Sequence, residues 1–96
     1  MTPAKIRKTR VKLLSMRLNV TGHKSREFER LAMAVQRKRL KGGSEPYWGR
    51  ESAPALPPLA IPHHSAVISP GVARVIINEL INDCDTWNLH LLENES

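Results

Sequence analysis

The chain has 96 residues, 41% of them hydrophobic, and a formal net charge of +6. This length allows one domain with a modest core. A single cysteine, Cys84, excludes a disulfide framework or a four-thiolate zinc site within the chain, and no apolar run is long enough for a transmembrane helix.

Charge is distributed unevenly along the chain. Residues 1–50 carry 14 Lys/Arg against 3 Glu, and residues 51–96 carry 1 Arg against 6 acidic residues, so the halves have net charges of +11 and −5. Such asymmetry suggests an anionic partner for the first half, unless the two halves simply attract each other. DNA is one candidate, and no membrane partner is expected. The predicted anion contacts are Arg37, Lys38, Arg39 and Lys41.

The basic N-terminal segment fits two structures. As a helix it places Ile6, Leu13, Leu14 and Leu18 on roughly one face, and as a strand it alternates apolar and polar residues from position 14 to 20. Periodicity does not separate the two. A lone strand would leave its backbone groups unpaired, so we favour a helix over residues 4–18.

A second helix is predicted over residues 25–41. Ser25 is its candidate N-cap, and Gly42-Gly43 is its candidate terminator. The apolar residues follow the spacing of an amphipathic helix: Phe28, Leu31, Ala32 and Val35.

Residues 44–52 are predicted to form a loop that contains two adjacent aromatic residues, Tyr47 and Trp48. One interpretation is that the pair covers the end of the helices. The other is that it is an exposed anchor, since Tyr and Trp are enriched among binding hot spots.

A proline-rich arm, residues 53–62, separates the two halves of the chain. Each proline fixes its own φ, removes a backbone donor and biases the preceding residue toward extended geometry, which excludes a helix or a central strand. The arm is also apolar, unlike a solvated spacer, so we expect a partner to cover it. The predicted partner contacts are Tyr47, Trp48, Pro54, Leu56, Pro57, Pro58, Leu59, Ile61 and Pro62.

A third helix is predicted to begin after Ser69 as N-cap, with Pro70 in the first helical position. An apolar stripe that includes Cys84 runs from Ala73 to Leu91. The polar side is expected to carry Glu79, Asn82, Asp83 and Asp85. Because anions are disfavoured near a helix C-terminus, we expect a bend near Asp85-Thr86.

These elements predict an all-α fold, small and elongated, with two or three helices interrupted by the extended arm. The expected divisions are a basic helical region at 1–52, the arm at 53–68 and an amphipathic helix at 69–96. No catalytic motif is recognised, and His63-His64 are expected to be solvated loop residues. We therefore expect a binding protein of a reducing cytosol, with no enzymatic activity, cofactor or metal.

The whole-chain organisation resembles the small anti-RecBCD proteins of lambdoid Salmonella phages. The shared features are the short length, the basic helical half through Arg37-Lys38-Arg39, the Ala53-to-Pro62 arm and the amphipathic tail from Ser69. The resemblance implies a phage protein of the host cytoplasm that binds the RecBCD helicase–nuclease, chiefly RecC, and modifies or inhibits it to protect phage DNA. It also implies a host prolyl isomerase on the arm. No specific motif carries the resemblance, so no site residue is transferred.

The alternative interpretation is a DNA-binding regulator of the ribbon-helix-helix type. Residues 14–20 would then form the strand that enters the major groove, and Lys/Arg side chains would contact phosphates. That fold needs a second helix soon after the first. In this chain Gly42-Gly43 and the proline-rich arm follow the first helix instead.

Overall fold

The computed structural model describes residues 2–41, 46–50, 56–62 and 67–95. Within them the elements are α1 (Pro3–Leu18), α2 (Ser25–Ala34), β1 (Lys38–Arg39), β2 (Tyr47–Gly49), β3 (Leu59–Ala60) and α3 (Pro70–Glu95). The largely helical prediction is confirmed. The all-α prediction is wrong in one respect, because the strands form an antiparallel sheet in the order β1-β2-β3.

α1 confirms the helical interpretation of the N-terminal segment. The Thr2 hydroxyl accepts a hydrogen bond from the backbone N–H of Lys5 at 3.3 Å, and Pro3 begins the helix. One face is buried through Ile6, Thr9, Leu13 and Met16. Leu18, assigned to that face from the pattern, is 90% exposed. Residues 14–18 are helical, so they do not form the strand that the ribbon-helix-helix interpretation requires.

α2 ends at Ala34, well before the predicted terminator. Gln36 has a φ of 72°, the left-handed conformation usually taken by glycine after a helix. Its N–H donates to the Met33 carbonyl at 3.0 Å, and the Arg37 N–H donates to the Ala32 carbonyl at 2.9 Å. These two bonds form a Schellman motif, so the chain leaves the helix at a glutamine that carried no stop signal.

The sheet places adjacent residues on opposite faces. Trp48 pairs with Leu59 and both are buried, whereas Tyr47 pairs with Ala60 and both are exposed. The predicted loop around the aromatic pair is therefore wrong for 47–49. Trp48 enters the core and Tyr47 faces outward, so the two residues do not act as a pair in either of the proposed roles.

The described part of the arm, residues 56–62, contains no helix, as predicted, and includes β3 at the sheet edge, where proline is tolerated. The expectation that a partner must cover its apolar residues is wrong for Leu59 and Ile61, which are buried in this chain's own core. Pro54 lies outside the described residues, as do Gly42-Gly43 and His63-His64.

The arm is fastened to the helices at its end. The Ile61 N–H donates to the Pro46 carbonyl at 3.1 Å. Ser25 was predicted as an N-cap, but Lys24 holds that position, and the Ser25 hydroxyl donates to the Pro62 carbonyl. The serine therefore stabilises the position of the arm.

α3 continues through Asp85-Thr86 to Glu95, so the helix is not interrupted at these residues. Arg10 of α1 donates to the Asp85 carboxylate at 2.8 Å and offsets its charge. The indole N–H of Trp87 donates to the Val35 carbonyl at 3.0 Å and anchors the next turn. Lys24, which follows α1 in the chain, forms a β-bridge with Val67, which precedes α3. Arg10 of α1 contacts Asp85 in the C-terminal half of α3. The two helices therefore run antiparallel.

Side chains from all three predicted segments meet in one hydrophobic core, which includes Leu13, Ile61, Ile77 and Cys84. The Cα radius of gyration is 13.3 Å, close to the ~12.5 Å expected for a compact domain of this length. The prediction of an elongated protein is therefore wrong, because the arm folds back between the helices.

Candidate functional site

A buried ion pair lies behind the arm. The Arg37 Nε donates to Asp83 Oδ2 at 2.5 Å and its Nη2 donates to Oδ1 at 3.0 Å. Both side chains are 0% exposed. The Arg37 Nη1 donates to the carbonyls of Trp48 at 2.8 Å and Pro57 at 3.3 Å. One guanidinium therefore links the exit of α2, the strand β2, the arm and α3.

This arrangement corrects two sequence predictions. Arg37 cannot contact an external anion, because Asp83 already occupies its fork of donors in a bidentate geometry. Asp83 does not lie on the solvent side of α3. Lys38, Arg39 and Lys41, the other predicted anion contacts, are exposed.

The sequence contains one signal for the buried Arg37–Asp83 pair, which is the position of Asp83 in α3. Asp83 lies seven residues after Ile76 and four before Trp87, within the stripe that α3 turns toward the core. A carboxylate in such a stripe requires a buried partner. The partner could not be named from the sequence, since Arg37 was assigned to the interior of a longer helix.

Two prolines of the arm and a tyrosine of the neighbouring strand have exposed side chains. Pro57 and Pro58 are exposed, whereas Leu56 and Pro62 are half-buried. Tyr47 is 41% exposed on β2, and Leu40, whose N–H donates to the Tyr47 carbonyl at 2.8 Å, is also exposed. We call the surface formed by Leu40, Tyr47, Pro57, Pro58 and Ala60 the proline face.

The edge of the sheet borders the proline face. Ile61 bonds to Pro46 across the β2–β3 pair, so by the alternation of an antiparallel ladder Ala60 directs its N–H and carbonyl away from β2. Pro58, two residues earlier, has no N–H to offer. The exposed edge of β3 is therefore short and interrupted by a proline, which limits nonspecific pairing with strands of other chains.

Behind the sheet, aromatic and cationic groups pack together. The Arg50 guanidinium carbon lies 4.4 Å from the centroid of the Trp87 ring, within the range of a cation–π interaction. The indole N–H of Trp48 is buried, and no described residue accepts a hydrogen bond from it. This interior polar atom has no solvent access, so it is not part of the exposed face.

The described residues contain no cluster of metal ligands, and their cysteine is buried. Among them no three His, Cys, Asp or Glu side chains come close enough to hold a metal ion. Burial, assisted by the nearby Asp83 and Asp85 carboxylates, raises the pKa of Cys84 from 9.0 to about 11. The thiol therefore stays protonated at neutral pH and is a poor nucleophile or ligand.

Across the described ranges, no helix combines the length and apolar character that a membrane span requires. Comparisons with protein families, with curated proteins and with solved structures find no match to this chain.

Proposed function

We propose that the chain is a small, non-catalytic phage protein that binds the host RecBCD helicase–nuclease on its RecC side, in the host cytoplasm, and offers its proline face to a host prolyl isomerase. The observation that supports a docking role is the contrast within the arm. Leu59 and Ile61 are buried in the core, but Pro57 and Pro58 immediately before them are exposed.

The proline face suits recognition by a protein with an apolar, aromatic-lined groove. Prolines have a restricted backbone, so a partner that binds Pro57-Pro58 orders little additional chain. Tyr47 adds an amphipathic ring of the kind enriched at binding hot spots. The Pro57 carbonyl is held from behind by Arg37 at 3.3 Å, which presents the segment in one defined position.

The identity of the larger partner comes from the resemblance in whole-chain organisation. Its test uses purified components: RecBCD, the chain and linear duplex DNA. We expect co-elution of the chain with RecBCD in size-exclusion chromatography and slower degradation of the duplex. Absence of co-elution at micromolar concentrations, with nuclease activity unchanged, would remove RecBCD from the proposal.

The isomerase contact is tested with the double variant Pro57→Ala, Pro58→Ala. Alanine keeps the backbone carbonyl that Arg37 binds, so we expect the fold to persist with a loss of roughly 1–2 kcal/mol from greater freedom of the unfolded chain. Calorimetric titration with a bacterial prolyl isomerase should show binding weakened about tenfold or more, equivalent to at least ~1.4 kcal/mol.

The matched control is Pro3→Ala, which removes another exposed proline at the start of α1. It should bind the isomerase as the unaltered chain does. Equal weakening by both changes, or by neither, would contradict the assignment of Pro57-Pro58. RecBCD binding measured in parallel separates failure of the face from failure of the whole proposal.

A further inference from the structure

A shallow cleft between α1 and α2 concentrates positive charge. It has a volume of about 450 Å³, and four cationic residues line it: Lys12, Lys24, Arg26 and Arg30. All four side chains are exposed. Lys12 comes from α1, whereas Lys24 is the N-cap of α2 and Arg26 and Arg30 lie in its first two turns. Two separate elements therefore direct cations to one concave surface.

The cations of the cleft differ from the arginines that the fold uses internally. Arg10 and Arg37 are paired with Asp85 and Asp83. In the part of the chain that the structure describes, none of the four cleft cations forms an ion pair. Among the described residues, therefore, no carboxylate pairs with these four charges.

The acidic residue of the cleft lining, Glu27, is already engaged. Its Oε2 lies 2.9 Å from Nδ1 of His23, one helical turn earlier in sequence. The other ring nitrogen, Nε2, lies 2.7 Å from the Asn19 carbonyl oxygen. The His23 ring therefore contacts the Glu27 carboxylate on one side and the backbone of the inter-helix turn on the other.

The turn that joins the two helices leaves the cleft open. Gly22 also lines the cleft and has a φ of 82°, and a Cβ built at this position would meet nothing within 4 Å. The backbone is therefore accessible to an incoming group. The first turn of α2 adds a favourable field for an anion, and its N-cap Lys24 supplies no side-chain acceptor.

The positive surface continues beyond the cleft along α1. This helix contains no acidic residue, and Lys5, Lys8 and Lys12 follow one another at i, i+3 and i+7. Such spacing places them on one face, with Lys5 and Lys12 about 10 Å apart along the axis. A row of cations leading into a cleft matches a polymer of regularly spaced phosphates better than a single small anion.

We propose that this surface, the α1–α2 basic cleft with its lysine row, binds the phosphate backbone of DNA. Because its contacts are cationic side chains and open backbone, the binding is independent of base sequence. The inference goes beyond the proposed function, since it concerns the isolated chain with no RecBCD present. Either proposal can fail without the other.

The experiment is fluorescence anisotropy of a labelled 20-base-pair duplex titrated with the full chain at several salt concentrations. We expect binding at low salt. The logarithm of the association constant should fall linearly with the logarithm of the salt concentration, with a slope of about −0.9 for each phosphate contact. The variant Lys24→Gln, Arg26→Gln, Arg30→Gln should bind at least about tenfold more weakly, with a slope reduced by roughly 2–3.

The control carries the same change in net charge elsewhere. Lys38→Gln, Arg39→Gln, Lys41→Gln alters the exposed cluster that sequence alone singled out, and it should weaken binding only about twofold through the loss of overall charge. Equal weakening by the two triple variants would overturn the assignment to the cleft. Circular dichroism checks that both variants are folded, as expected for exposed substitutions.

Two further outcomes decide the class of partner. No binding of the duplex at 50 mM salt would overturn the proposal. Tighter binding to vesicles containing phosphatidylserine, or to polyglutamate, than to DNA would assign the cleft to a membrane or an acidic protein and would also overturn it. Equal binding of duplexes with unrelated sequences is the expected result.

Discussion

The buried Arg37–Asp83 pair makes a quantitative prediction about stability. Changing Asp83→Asn keeps the shape of the side chain but leaves the guanidinium, which is 0% exposed, facing a neutral amide. Breaking a buried pair by removing one charge costs about 3–5 kcal/mol. The total stability expected for this length is about 5–14 kcal/mol, so the change should remove roughly a fifth of it or more.

Urea unfolding followed by circular dichroism measures this loss. With a slope of about 1–1.5 kcal/mol per molar urea, the midpoint should fall by about 2 M or more. The control is Asp85→Asn, whose pair with Arg10 has side chains 38% and 49% exposed. Exposed pairs contribute about 0–1 kcal/mol, so its midpoint should move by well under 1 M.

A second variant distinguishes the cost of an unpaired buried charge from the cost of altered packing. Arg37→Met with Asp83→Leu removes both charges and should recover part of the stability lost in Asp83→Asn, since replacing a buried pair by apolar side chains is often neutral or stabilising. Recovery is partial because the Trp48 and Pro57 carbonyls lose the donor that Arg37 supplies. If Asp83→Asn costs no more than Asp85→Asn, the pair is not desolvated and this reasoning is refuted.

Three further changes test the core, the thiol and the end of α2. Ile61→Ala should lower the free energy of unfolding by about 2–5 kcal/mol in urea titrations, because this arm residue is fully buried. Cys84 should resist iodoacetamide at pH 8 until urea unfolds the chain, as followed by mass spectrometry. Its raised pKa of about 11 means that above pH 9 the unfolded thiol ionises first, so its contribution to stability should decline between about pH 9 and 11. Gln36→Gly should raise the melting temperature by a few degrees, because glycine adopts the observed φ of 72° without the side-chain penalty, worth about 1 kcal/mol.

The helices were predictable where local signals were strong. The α3 start at Pro70 follows from Ser69-Pro70, and the α1 helix follows from the absence of a partner for a strand. The end of α2 was missed because Gln36 takes a conformation that the sequence marks with glycine elsewhere. Propensity describes what a residue prefers, whereas here the two Schellman bonds and the burial of Arg37 decide the geometry.

The sheet and the site could not be predicted for a related reason. Strands β1 and β3 have two residues each, too few for a periodic pattern to be visible. Their pairing depends on Trp48 and Leu59 meeting across the ladder, which is a long-range contact. The same long-range packing covers Leu59 and Ile61, so the apolar character of the arm was read correctly but assigned to the wrong partner.

The attachment of the chain on both sides of residues 63–66 has a practical consequence for engineering. The Pro62 carbonyl is bound by the Ser25 hydroxyl, and the Ile68 N–H donates to the His23 carbonyl at 2.9 Å. Both flanks are thus held at the same end of α2. An insertion between Pro62 and Val67 would leave both attachment points at this end of α2 unchanged, and closing a longer connection between them costs about 0.6 kcal/mol for each doubling of its length.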